Sequence, residues 1–130
     1  MPPRTKSDEE IRTLWDGILD ILLERVHNKS ISLTELAHVT DELNILLRAV
    51  KGRSGVWGSV VDVALQLLRR DVTIRDLRAE LHYNESTIYR ALERLESVGF
   101  ASQISDESGL HRWTVNSEMC PVLHRASRPR

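Results

Sequence analysis

Ser86, Thr87, Tyr89, Arg90 and Arg94 fall within the stretch STIYRALERLESVGF, residues 86–100. Together they offer two small hydroxyls, one phenol and two guanidinium groups. A guanidinium presents a planar fork of donors that matches a phosphate or the O6/N7 edge of guanine. Hydroxyls at a helix start sit where free backbone N–H groups and the helix dipole attract an anion. A tyrosine donates one hydrogen bond while its ring packs on an apolar group such as a thymine methyl. The chemistry on offer is therefore recognition of a polyanion that carries base edges, by Ser86, Thr87, Tyr89 and Arg90, with Arg94 extending the line at i+4. The competing use of Arg90 and Arg94 is pairing with Glu93, Glu96 or Asp76 on a solvated helix surface.

These side chains need a helix to point them outward. Ile88, Ala91, Leu92, Leu95 and Val98 recur at three and four residues and predict its buried stripe, with Gly99 as the left-handed residue that ends it. Upstream, Thr73 is placed to cap a short helix with Ile74, Leu77 and Leu81 inward, and Asp76 stands where a capping box needs an acceptor. "HYNE", residues 82–85, makes a tight turn in which Asn84 caps the next helix. Before these, Trp57, Val60, Val61, Ala64, Leu67 and Leu68 line one side of a helix that runs to Arg69-Arg70. Afterwards "FASQIS" and "LHRWTV" flank Asp106-Glu107-Ser108-Gly109, which predicts a β-hairpin.

The order helix, helix, tight turn, helix, hairpin, together with the residues of 86–100, resembles winged helix-turn-helix regulators, the class that holds MarR-type repressors and the ferric uptake regulators. The resemblance spans about residues 56–116. It implies a fold that is mainly α with a small β-hairpin, double-stranded DNA as partner, and contacts from Ser86, Thr87, Tyr89, Arg90 and Arg94. On the returning strand of the hairpin, Arg112 is placed to reach the DNA backbone. The hairpin tip departs from the pattern, since Asp106 and Glu107 stand where many such wings carry Lys or Arg. No counterpart exists for the histidine and acid clusters of the ferric uptake regulators, so no metal response is carried over.

The first fifty residues predict two helices that form an N-terminal helical hairpin. Ser7 or Asp8 is placed to cap the first, whose apolar face is Ile11, Leu14, Trp15, Ile18, Leu19, Leu22 and Val26. Ser32 or Thr34 caps the second, along which Leu36, Val39, Leu43, Leu46 and Val50 step by 3, 4, 3 and 4. Such a short seam suits either a hairpin with its own core or an interface between copies, and the extra apolar surface of Ile45 and Leu47 favours the interface. Residues 1–50 are thus expected to oligomerise, most simply as a homodimer, with 51–55 a linker, 56–116 the second domain and 117–130 a basic tail ending in Arg125, Arg128 and Arg130.

Composition narrows the class without choosing the function. The 130 residues carry 18 Lys/Arg and 19 Asp/Glu, a formal net charge of −1 with no global basic field. Residues 69–130 hold ten basic and nine acidic residues and residues 1–68 hold eight and ten, so the second half is only slightly the more basic. A single cysteine, Cys120, excludes an internal disulfide and fits a cytoplasmic setting. No apolar run spans a bilayer. Cys120 and His124, four apart, fall short of a zinc site, no phosphate loop has Walker spacing, and no nucleophile–base pair is suggested. Neither enzyme activity nor a cofactor or metal is expected. The reading is a dimeric transcriptional regulator that uses the helix 86–98. Its alternatives are a winged helix that binds only protein, or a DNA-handling oligomer of replication, partition or viral genome packaging.

Overall fold

The computed structural model describes residues 6–29, 31–52, 55–105, 107 and 109–127. Among these residues six helices are interrupted by two short hairpins: α1 (Lys6–His27), α2 (Leu33–Val50), β1 (Lys51–Gly52), β2 (Gly55–Val56), α3 (Gly58–Leu67), α4 (Ile74–Glu80), α5 (Glu85–Ser97), β3 (Ala101–Ser105), β4 (His111–Val115) and α6 (Pro121–Ala126). The fold is therefore mainly helical with a small antiparallel hairpin, as expected. β3 pairs with β4 from Ala101↔Val115 to Ser105↔His111. Val72 adds a one-residue bridge on the far side of β4, exchanging both backbone hydrogen bonds with Trp113 at 3.0 and 2.7 Å.

Local chemistry sets most boundaries. Ser32 opens α2 with a full capping box to Glu35, and Thr73 opens α4 with the same reciprocal pair to Asp76. The Thr73 amide holds the Asp76 carboxyl below its usual range, helped by the charges of Arg70 and Arg112. The Asn84 side chain caps α5 by accepting from the Thr87 amide at 2.8 Å. Gly99 ends α5 at φ +90°, a conformation that costs a residue with a Cβ. At the other end of the chain the helix already includes Ser7 and Asp8, so neither is the cap of α1.

The core differs from the two-unit expectation. One continuous apolar cluster runs from Leu14 to Ala126. α1 packs mainly on α3, and α2 packs on α3, α5 and α6, so the two do not make a helical hairpin with a private core. The seam expected to join two copies faces inward: Val39, Leu46 and Val50 are at most 2% exposed, and Leu36 and Leu43 are half-buried against the same cluster. The apolar surplus on α2 that suggested a second copy is met by the chain's own α3, α5 and α6.

Two further expectations change for related reasons. Residues 51–55 are not an open linker, because β1 and β2 pair (Lys51↔Val56, Gly52↔Gly55) and the Trp57 amide donates to Val50 O at 2.9 Å. Arg53 and Ser54 lie outside the described residues. The supposed tail contains α6, whose Val122, Leu123 and Ala126 are buried. A six-residue helix is too short to persist alone, and here charged side chains hold both its ends. Buried Glu42 accepts from the Val122 and Leu123 amides at 3.3 and 2.9 Å, while buried Arg25 donates from Nε to Ala126 O at 2.5 Å. Carboxylate at the N-terminus and guanidinium at the C-terminus both oppose the helix dipole. Arg125, still exposed, makes an ion pair with Glu35, and Arg128 and Arg130 lie outside the described residues.

Candidate nucleic-acid interface

The buried side of α5 is Ile88, Ala91, Leu92 and Leu95. Advancing about 100° per residue from that stripe puts Ser86, Arg90, Glu93 and Ser97 farthest from the core, with Tyr89 on one flank and Thr87 and Arg94 on the other. Ser86 and Arg90 are exposed, Tyr89 is 42% exposed and Thr87 is half-buried. Ser86 and Thr87 are both tied to the Asn84 side chain, Ser86 through its hydroxyl at 2.9 Å. The first turn of α5 is thus presented in one fixed geometry.

Arg90 and Arg94 part company. Arg90 makes no ion pair among the described residues, and none of Glu93, Glu96 and Asp76 claims it. Arg94 is folded back onto the chain. Its guanidinium donates to Ala49 O at 2.7 Å and Lys51 O at 2.8 Å, with a longer contact to Arg48 O at 3.4 Å, and lies 4.9 Å from the Trp57 ring centroid. These carbonyls close the C-terminus of α2, where a helix has no partners of its own. Arg94 therefore does not simply extend the contact line as expected: its Nε and Nη2 donors are turned to these carbonyls. Trp57, expected on the inward side of its helix, stands at the N-cap of α3 and is 41% exposed, as the lid of that guanidinium.

Two arginines that the sequence reading passed over join the surface. Arg75 and Arg78 are exposed on α4, Arg75 nearly opposite buried Leu77 and Arg78 rather more than a quarter turn from it. With Ile74, Ala79 and Glu85 they line an open groove of about 490 Å³ between α4 and α5. Arg78 reaches Glu85 at 3.4 Å, an exposed pair that competes weakly with other anions. The signal was present in "IRDLRAEL" as two arginines at i, i+3 on the polar side of a capped helix.

The turn between α4 and α5 is pinned from below, where the Tyr83 hydroxyl donates to Asp62 on α3 at 2.5 Å. Burial and that carboxylate push the phenol up to about 12. On the hairpin, Arg112 and His111 are exposed, and His111 Nδ1 lies 2.8 Å from Ser105 Oγ. Arg112 places its charge near Asp76. At the hairpin tip Glu107 is exposed, whereas Asp106 lies outside the described residues.

Among the described residues no group of three His, Cys, Asp or Glu could hold a metal ion, and no helix is long and apolar enough to cross a membrane. Cys120 is fully buried at the start of α6, where desolvation and then the nearby Glu42 charge push its thiol up to about 12. The native protein is accordingly expected to leave an aromatic disulfide reagent unreacted at mildly alkaline pH and to release one equivalent of thiolate in denaturant. Rapid release from the native protein would show that α6 opens readily. No family model matches the chain, nor does any curated protein or solved structure.

Proposed function

We propose that the protein is a winged helix-turn-helix regulator of transcription that binds double-stranded DNA, with α5 in the major groove and the β3–β4 hairpin as the wing. The observation that carries the reading is the outward face of α5. Ser86, Tyr89 and Arg90 stand on it, the first turn is fixed by Asn84, and Arg90 has no ion pair among the described residues. Arg75 and Arg78 flank that face from α4, where the first helix of such a pair crosses the phosphate backbone. Arg90 supplies the base contact, Ser86 and Tyr89 support it, Thr87 offers its hydroxyl from the same turn, and Arg112 reaches phosphate from the wing.

One feature favours a second reading, a winged helix that binds protein. Glu93 lies at the centre of the same face and Glu107 at the hairpin tip, and both repel phosphate. A fluorescence-anisotropy titration into a random duplex pool separates the two. DNA binding is expected to fall steeply between roughly 50 and 200 mM salt, as counterion release requires. Arg90→Ala is expected to weaken binding to the enriched site by about 5- to 150-fold, the range for one bidentate base contact, with the fold unchanged. An absence of binding at the lower salt would remove the DNA reading and leave the protein one. An enriched site that is an inverted repeat would require two copies, joined elsewhere than at the buried Val39–Leu46–Val50 seam.

A further inference from the structure

Helix α1 bears more apolar surface than the described residues cover. Leu14, Ile18, Ile21 and Leu22 are buried, and Gly17 lies so close to α3 that a Cβ there would come within 2.6 Å of Leu65 Cδ2. A second row, Trp15, Leu19 and Leu23, follows at steps of four residues. Rotation of about 100° per residue places it roughly a third of a turn from the buried side. These three side chains are 38%, 52% and 65% exposed. Their apolar ridge is about 12 Å long at 1.5 Å per residue, and a patch of this kind is where another molecule docks.

The charges beside the ridge select the occupant. Glu9, Asp16 and Asp20 are exposed along its open edge, with exposed Arg12 the single arginine or lysine beside them among the described residues. None of the three carboxylates is in an ion pair among the described residues. A second copy fits poorly: antiparallel pairing about Leu19 brings Asp16 beside Asp20 of the other copy, and parallel pairing turns the two acidic edges to opposite sides, where neither gains a basic partner from the other's acidic edge. An anionic lipid surface is repelled by the same edge. A helix with lysine or arginine beside its own apolar stripe meets both the ridge and the carboxylates.

We propose that the Trp15–Leu19–Leu23 ridge of α1 docks an amphipathic helix of another protein whose apolar stripe is bordered by basic residues. This surface is independent of α5, so it holds whether or not α5 reads DNA.

The test uses the full chain and two synthetic helical peptides that share a leucine stripe and differ only in its border, lysine in one and glutamate in the other. The lysine-bordered peptide is expected to bind at least about tenfold more tightly, a difference of about 1.4 kcal/mol. Leu19→Glu should abolish binding of both, and Asp16→Lys with Asp20→Lys should reverse the preference. All three positions are exposed, and circular dichroism confirms that each variant folds. Equal binding of the two peptides, binding that survives Leu19→Glu, or a preference that the double variant leaves in place would overturn the proposal. So would sedimentation showing a wild-type dimer that Leu19→Glu makes monomeric, since a second copy would then occupy the ridge.

Discussion

Glu42→Ala is expected to lower the unfolding free energy by about 3 kcal/mol, read as a shift in the urea midpoint at constant slope. The reason is the position of the carboxylate. Glu42 is 5% exposed, and its two oxygens accept from the Val122 and Leu123 amides at the start of α6. Cys120, the N-cap of that helix, offers no side-chain bond, and Pro121 has no N–H to satisfy. Alanine would leave two buried donors without partners, at about 1–3 kcal/mol each before relaxation. The loss should also depend on pH. Desolvation raises the Glu42 carboxyl above its ordinary value of 4.5, more than the two amides lower it. A carboxyl with a raised folded pKa contributes most when protonated, below the unfolded value, and that contribution fades as pH rises through the folded one. The difference between wild type and Glu42→Ala should therefore be larger near pH 4 than at pH 7. A difference that grows with pH would show that the amides outweigh burial.

Arg94→Ala is the second large effect, about 2–3 kcal/mol of stability. Its two short bonds to Ala49 O and Lys51 O are charge-assisted, worth about 1.5–3 kcal/mol each when dry and less at this half-buried site. Stacking on Trp57 adds about 0.5–1 kcal/mol. Arg94→Lys should recover only part, since an ammonium cannot span several carbonyls and stack at once. Arg90→Ala, four residues away, is the control: it should change stability by less than about 0.5 kcal/mol. If Arg94→Ala kept wild-type stability and lost only DNA affinity, the side chain would be a contact after all and the observed clamp incidental.

That contrast marks how far the sequence could be read. Spacing places Arg90 and Arg94 on adjacent turns with the same chemistry, and nothing local separates them. What separates them is α2, some 45 residues away, whose carbonyl terminus lies under Arg94 and not under Arg90. The elements of residues 73–115 were legible because their signals are local: the Thr73–Asp76 box, the Asn84 cap, the left-handed Gly99 and the two β-branched and aromatic runs that flank a turn. The candidate face of α5 was legible for the same reason, as the complement of an apolar stripe.

The first half was misread where partners are distant. The Leu36–Val50 seam shows correctly that one face of α2 must be covered, but a heptad pattern does not say whether the cover comes from another copy or from the same chain. Here α3, α5 and α6 supply it. On α1 the reading grouped Trp15 and Leu19 with the buried face, because an apolar arc this broad carries no mark of where contact ends. α6 was hidden by the arginines in and after it and by its brevity, since Glu42 and Arg25 hold its two ends from elsewhere in the chain.

The two clasps on α6 also bear on the order in which the molecule can assemble. Glu42 and Arg25 bind partners 80 to 101 positions later in the chain, separations at which loop closure slows folding. During synthesis, α1 and α2 leave the ribosome well before residues 121–126 are made. Until then α2 lacks the part of its cover that α6 supplies, and Glu42 and Arg25 lack their partners on α6. The N-terminal helices should therefore be the segment most exposed to chaperones and proteases in the nascent chain, and acquire native protection only when α6 docks.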